Sequence, residues 1–288
     1  YYLFPLLSSL LYVCGILFIK QCSAFGVGVW RTSFVSNIAT AILFLPVLAF
    51  GGEWRPLTEF WQPAVVALLF IGGQAFTFIA LQRGDVSVAT PVMGLKTVIV
   101  ALLVSVVIGE TVTTRLWASA GLSAAGIALL NFTSRGRHHD VLSTVLLSGL
   151  AATSFSLFDV LVQKFSPAWG IGRFLPVMFL WVSIFSLVFI PFFNAPLKDI
   201  SKPARPPLLW GAFFLGLQGL LLICTLGYFG NATAVNVIYS SRGLWSVIAV
   251  WLVGHWFANT EKERGMSVFR WRLAGAVLML AAILLTLI

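Results

Sequence analysis

Two stretches of the chain place a cation where a bilayer tolerates it least. Asp85 to Glu110, DVSVATPVMGLKTVIVALLVSVVIGE, is about one bilayer long and carries Lys96 at its middle. Gly230 to His255, GNATAVNVIYSSRGLWSVIAVWLVGH, carries Arg242 at nearly the same depth. A charge at the centre of a membrane helix costs roughly 2.5–3.5 kcal/mol on insertion scales, so two at matched depth need a reason. The chemistry open to them is anion binding. Arginine offers a planar fork that fits carboxylate or phosphate, and lysine acts as a point charge. The alternative is that either cation pairs with Asp159 or with backbone carbonyls and only holds helices together.

Helical spacing puts Tyr239, Trp245 and Ser246 at −3, +3 and +4 from Arg242, on one face. An arginine bracketed by a tyrosine and a tryptophan suits a planar or ring-bearing anion, although the same aromatics could pack on neighbouring helices or stack on the guanidinium. Around Lys96 the corresponding face holds Val92, Met93, Ile99 and Val100, so the expected site is weighted to the second half. Gln74 and Gln218 lie near the middle of their own apolar runs, where an amide must find partners. Interhelical contact and substrate contact are both open to them. Asp159 has three readings: a proton-coupling carboxylate, a counter-ion for Arg242 or Lys96, or a solvated residue near a helix end. Arg31 and Glu110 fall near helix ends and read as structural or gating residues, and Asn37 as an interior polar contact.

Other polar features carry less. His138-His139-Asp140, beside Arg135 and Arg137, reads as a solvated linker, because adjacent histidines on a helix cannot both face one metal. Asn131-Phe132-Thr133 and Asn231-Ala232-Thr233 fit the glycosylation pattern but crowd helix ends. Cys14, Cys22 and Cys224 are scattered, without ligand spacing. There is no Gly-x-Ser-x-Gly, His-Glu-x-x-His or phosphate-binding loop. An enzyme is not expected, nor a metal or any cofactor.

The elements that must position these residues follow from composition. Hydrophobic residues make up 59% of the chain, charged residues 9%, and the mean hydropathy is +0.99. That is the balance of a polytopic membrane protein. The apolar runs are about 20 residues long without alternation, so they are helices rather than barrel strands. Ten are expected, near 3–22, 27–50, 61–82, 86–109, 115–132, 142–163, 171–194, 207–229, 232–256 and 270–288. The first ends at Lys20 with no small-residue cleavage pattern and reads as a true span, although a chain starting at Tyr1 suggests a trimmed N-terminus. The joining loops are short and hold most of the net charge of +9.

The chain also resembles itself. Phe70-Ile71-Gly72-Gly73-Gln74 matches Phe214-Leu215-Gly216-Leu217-Gln218, and Phe25-Gly26-Val27-Gly28 matches Trp169-Gly170-Ile171-Gly172. Val107-Ile108-Gly109-Glu110 matches Leu252-Val253-Gly254-His255, and Trp117 with Gly121 matches Trp271 with Gly275. The matches are colinear and imply two five-helix repeats, residues 1–134 and 142–288, joined by 135–141. An odd number of spans per repeat turns the second upside down, the plan of many secondary transporters. On this alignment Lys96 falls opposite Ser241, next to Arg242.

Lys20 ending the first helix, Arg31 opening the second, and Gly109-Glu110 ending the fourth before a Gly-rich fifth form a pattern. It resembles the ten-helix EamA-type members of the drug/metabolite transporter superfamily over essentially the whole chain. The resemblance implies an all-α membrane protein with inverted repeats around a central cavity. The chain departs from it where His255 stands opposite Glu110, and where Lys96 replaces a proline often found before the Gly-Glu pair. The organophosphate and nucleotide-sugar branches also carry basic residues in the ninth helix, which Ser240-Ser241-Arg242 resembles in position.

The expected function is secondary transport of a small polar metabolite, an organic anion or zwitterion (carboxylate, amino acid or phosphorylated compound), by alternating access. The competing readings are an exporter of cationic or amphipathic compounds using Asp159, and a non-transporting membrane protein that binds lipid headgroups. The expected partners are the small-molecule substrate and the bilayer, with no nucleic acid and room for a homodimer. The expected location is the bacterial cytoplasmic membrane. Lysine and arginine are concentrated on the face opposite the termini, which by the positive-inside rule puts the termini outside. Members of the superfamily are usually drawn with cytoplasmic termini.

Overall fold

A computed structural model of the chain describes residues 1–83, 86–130, 141–253 and 266–288. The His138-His139-Asp140 linker, the Asn131 pattern and the Gly254-His255 match lie outside the described residues. Among the described residues the structure is helical, with no strand. In order come α1 (Leu3–Ala24), α2 (Val29–Phe44), α3 (Trp61–Arg83), α4 (Val86–Gly94), α5 (Lys96–Leu103), α6 (Thr114–Leu130), α7 (Val141–Trp169), α8 (Ile171–Phe185), α9 (Arg205–Phe229), α10 (Ala232–Tyr239), α11 (Arg242–Val253) and α12 (Met266–Leu287). α2 and α8 each run on into a 3₁₀ tail, Leu45–Phe50 and Ser186–Phe192.

Seven helices among the described residues are long and apolar enough to cross a membrane: Leu3–Ala24, Val29–Phe50, Leu57–Gln82, Val88–Ile108, Val141–Trp169, Ile171–Phe192 and Lys202–Phe229. The other three expected positions hold the 17-residue α6, the interrupted pair α10 and α11, and α12. Large apolar side chains such as Leu3, Leu68, Val106, Leu142, Leu180, Leu209, Val277 and Leu284 are exposed on the outside. In hydrocarbon such a surface costs nothing, whereas unpaired backbone groups would, so helices carry the spans. The chain is an integral membrane protein.

Two expected helices are not continuous. The fourth breaks at Leu95, after which α5 begins on Lys96, and the ninth breaks at Ser240-Ser241, after which α11 begins on Arg242. Unbroken apolar runs hide such breaks, because hydropathy does not register backbone geometry. Locally the causes are visible. α4 holds Pro91, which removes a helical N–H, and ends on Gly94, a weak helix former. The Thr97 hydroxyl then donates to the carbonyls of Gly94 and Ala120, at 3.3 and 3.1 Å. At the second break the Ser240 hydroxyl donates back to Val237 O at 2.6 Å, and Asn236 Nδ2 donates to Ala232 O at 3.0 Å. Such local bonds compete with a regular ladder.

The sixth expected helix also differs. α7 runs to Trp169, well beyond the expected end at 163, because Pro167 lies in its final turn and removes only one donor. Asp159 is therefore an interior residue of a long helix, not a helix-end one.

In lipid, helices associate through close packing and small residues rather than through a hydrophobic drive. α6 and α12 meet where a Cβ on Gly126 would lie 2.6 Å from Met279 Cγ and 2.9 Å from Gly275 O. The connections sort into two ends. At one, Tyr1 stacks on Phe229 at 4.9 Å, and Gln163 Nε2 donates to Glu110 Oε2 at 3.1 Å. Gln163 Oε1 accepts from the Ala232 N–H at 2.7 Å, and Arg55 donates to Ala168 O at 2.8 Å. Gly170 (φ +74°) sits against Gly52 (φ +125°) there, with room for no side chain between them. At the other end, buried Arg31 donates to Gly26 O at 3.0 Å and to Pro196 O at 3.4 Å, and Asn194 donates to Gly26 O at 2.9 Å.

Candidate functional site

The two helix breaks face α7. Lys96 Nζ, on the first residue of α5, lies 2.6 Å from Asp159 Oδ2, with side-chain exposures of 16% and 2%. It is the one ion pair among the described residues. Asp159 Oδ2 has no hydrogen bond of good angle besides this ionic contact, and Lys96 also sits 5.9 Å over the ring of Phe155, one helical turn from Asp159. The Lys96 carbonyl accepts from Ser156 Oγ at 3.3 Å, a further tie between α5 and α7. Of the three readings of Asp159, the structure places it as the counter-ion of Lys96.

Arg242, on the first residue of α11, lies in a corner made by two tyrosines. Its guanidinium carbon is 4.8 Å from the ring of Tyr12 and 4.7 Å from that of Tyr239. The two rings meet edge to face, 6.1 Å apart. Nη1 donates to Tyr239 Oη at 3.2 Å, and Tyr239 Oη donates to Gln218 Oε1 at 2.9 Å. Ser8 Oγ also donates to Gln218, at its carbonyl (2.8 Å) and at Oε1 (3.2 Å). The chain from α1 through α9 to α10 thus orients one edge of the guanidinium and leaves most of its five N–H donors for other partners. α5, which begins on Lys96, packs against α10, whose last residue Tyr239 lies three positions before Arg242, so the two cation sites are neighbours.

The aromatic bracket differs from the expected one. Tyr239 belongs to it, but its second member is Tyr12 from α1, not Trp245. The spacing argument assumed one helix through 239–245, and the break at Ser240-Ser241 removes that assumption. Trp245 shares α11 with Arg242, and its Nε1 is buried without a hydrogen-bond partner. Ser246 Oγ donates to Gly243 O at 2.8 Å, inside its own helix.

The two glutamines part company. Gln218 joins the Arg242 network, whereas Gln74 pairs reciprocally with Asn37 at 2.9 and 3.0 Å. Asn37 also donates to Ser186 Oγ at 2.8 Å, so this second cluster ties α2, α3 and the α8 tail together. Arg31 and Glu110 brace opposite ends of the molecule. Sequence reasoning missed Tyr12, Ser8, Phe155 and Gln163. Of these, only Gln163, a buried amide in an apolar run, left a signal of the kind that picked out Gln74 and Gln218. Serine pairs close the breaks from outside: Ser240 with Ser123 at 2.6 Å, and Ser241 with Ser9 at 2.9 Å.

Comparison with known proteins agrees with this architecture. A solved structure described as "Crystal structure of protein" aligns with a TM-score of 0.73 at 16% identity, over 100% of this chain and 98% of that chain. At that identity the likeness shows the fold alone. No curated protein matches. The model of the EamA-like transporter family matches residues 1–132, the half that contains Lys20, Arg31, Lys96 and Gly109-Glu110. Over these residues the chain is similar to the EamA-like transporter family, which points to a membrane transporter.

Proposed function

We propose that the chain is a secondary transporter that moves a small organic anion across the bacterial cytoplasmic membrane by alternating access. Ten spans form two inverted five-helix repeats, residues 1–134 and 142–288, around a central site. One observation carries the reading: the fourth and ninth helices both break beside a cation, Lys96 and Arg242, and both cations begin the second half-helix. Discontinuous helices whose N-terminal ends face the substrate are a recurrent device for binding anions at the bilayer midplane.

The repeat reading is supported by contacts that occur in exchanged pairs. α1 packs on α9 as α7 packs on α3, and α2 on α9 as α8 on α3, while α6 meets α12. The 3₁₀ tails of α2 and α8 match, and Gly172 meets Gly51 at one end as Gly28 meets Asn194 at the other. A site between two such repeats can open to either side in turn. Export of cations through Asp159 finds less support, because that carboxylate is already engaged by Lys96.

Uptake into proteoliposomes tests the reading. Labelled carboxylates, amino acids, phosphorylated sugars and nucleotide sugars are offered with and without a pH gradient. At least one anion should accumulate, and Arg242→Gln should lower its flux by about 30-fold or more, as expected for truncating a buried charge-pairing group. Undiminished anion flux in both Arg242→Gln and Lys96→Met would rule the site out.

A further inference from the structure

Resting on the anion-transport reading, we infer that the site selects cargo by charge number: it takes an anion of one net negative charge, a monocarboxylate, and rejects dianions and zwitterions. The juxtaposition of Lys96, Asp159 and Arg242 carries this. Lys96 and Asp159 are in ionic contact at 2.6 Å, and their sum is zero whichever of the two holds the shared proton. No described carboxylate other than Asp159 pairs with a cation, so among the described residues Arg242 leaves the cluster with one positive charge in a low-dielectric interior. A monoanion makes the loaded site neutral. A dianion leaves it at minus one and a zwitterion at plus one, and an uncompensated buried charge is the state such an interior disfavours most.

The donor pattern agrees. Donors are available to a monoanion: the free part of the Arg242 fork and, one turn along α11, the buried, unpartnered indole N–H of Trp245. The nearby carboxylate is held by Lys96. An ammonium group on the cargo would compete with that lysine for the carboxylate and would lie beside the positive Arg242. The body of the cargo meets Tyr12, Tyr239 and Phe155, so an apolar or ring-bearing remainder is accommodated.

Proteoliposome uptake at pH 7 tests the rule with lactate and mandelate as monoanions, malate and glycerol 3-phosphate as dianions, and alanine as the zwitterion matched to lactate. The monoanions should enter at least ten times faster than the dianions or alanine. Each monoanion should carry one charge per molecule, read as a membrane current. Asp159→Asn raises the cluster to plus two and should turn the preference toward malate. Lys96→Gln/Asp159→Asn restores plus one and should return the preference to lactate, which also covers the case in which the single variant fails to insert. Faster malate, glycerol 3-phosphate or alanine uptake in the wild type would overturn the charge rule while leaving anion transport standing. So would a double variant that prefers malate. No flux of any anion above the Arg242→Gln control would overturn the anion reading itself, and the charge rule with it.

Discussion

Lys96 and Asp159 depend on each other more than either contributes alone. Both are largely shielded from solvent, and breaking a buried pair from one side costs about 3–5 kcal/mol because the survivor is left uncompensated. Lys96→Met should therefore lower thermal stability in detergent markedly. Lys96→Met/Asp159→Leu should recover most of the loss while still altering transport. A double variant no more stable than the single one would mean that the pair matters for something other than charge balance. The ionisable residues of this site were legible in the sequence, because a cation in the middle of an apolar run is expensive enough to stand out. Gln218 followed from the same logic, and Tyr239 from its helical spacing to Arg242. Tyr12 did not, since a tyrosine in an apolar helix is unremarkable until tertiary contact brings it to Arg242. Trp245 was placed in the bracket by a spacing rule that holds only within one unbroken helix.

At the scale of the helix, close approach decides which small residues matter. A methyl on Gly126 would meet Met279 and the Gly275 carbonyl, whereas at Gly121, on the same helix, it would meet nothing within 4 Å. Gly126→Ala should lower the melting temperature by separating α6 from α12. Gly121→Ala should be neutral or gain up to about 1 kcal/mol from helix propensity. Equal effects would show that α6 does not rely on this contact. Both glycines look alike in sequence, and the Gly-rich character of this helix was visible while its contact side was not. The same limit applies to the helix ends. The span from 61 was placed closely, because charge and proline bracket its apolar run. α7 outran its expected end because Lys164 is accommodated by a bond to Val107 O at 3.0 Å, not by leaving the helix.

For the whole molecule, the two ends are closed by different chemistry. Gln163 links Glu110 to the start of α10 at one end, and Arg31 links the Gly26 turn to Pro196 at the other. If the two repeats rock about the central site, loosening one end should bias the carrier toward opening there. With cysteine introduced at Ser246, in a chain whose own cysteines are replaced, Gln163→Leu should speed labelling by a membrane-impermeant maleimide from the Glu110 end. Arg31→Gln should speed it from the opposite end. Labelling that responds identically to both changes would mean these contacts do not gate access. The all-helical membrane class was legible because long apolar runs dominate the composition. What divides the halves functionally, a Gln218 that reaches the cation and a Gln74 that does not, arises from partners on other helices.

The ion pair between Lys96 and Asp159 also imposes an order on synthesis. Lys96 begins α5, made early, and its counter-charge lies on α7, made only after α6. Until α7 arrives, the lysine stands unneutralised in an interrupted but strongly apolar segment, Val88–Ile108, packed against α6. α7 therefore completes a charge that the helices before it leave unbalanced, and α5 and α7, far apart in sequence, depend on each other in folding.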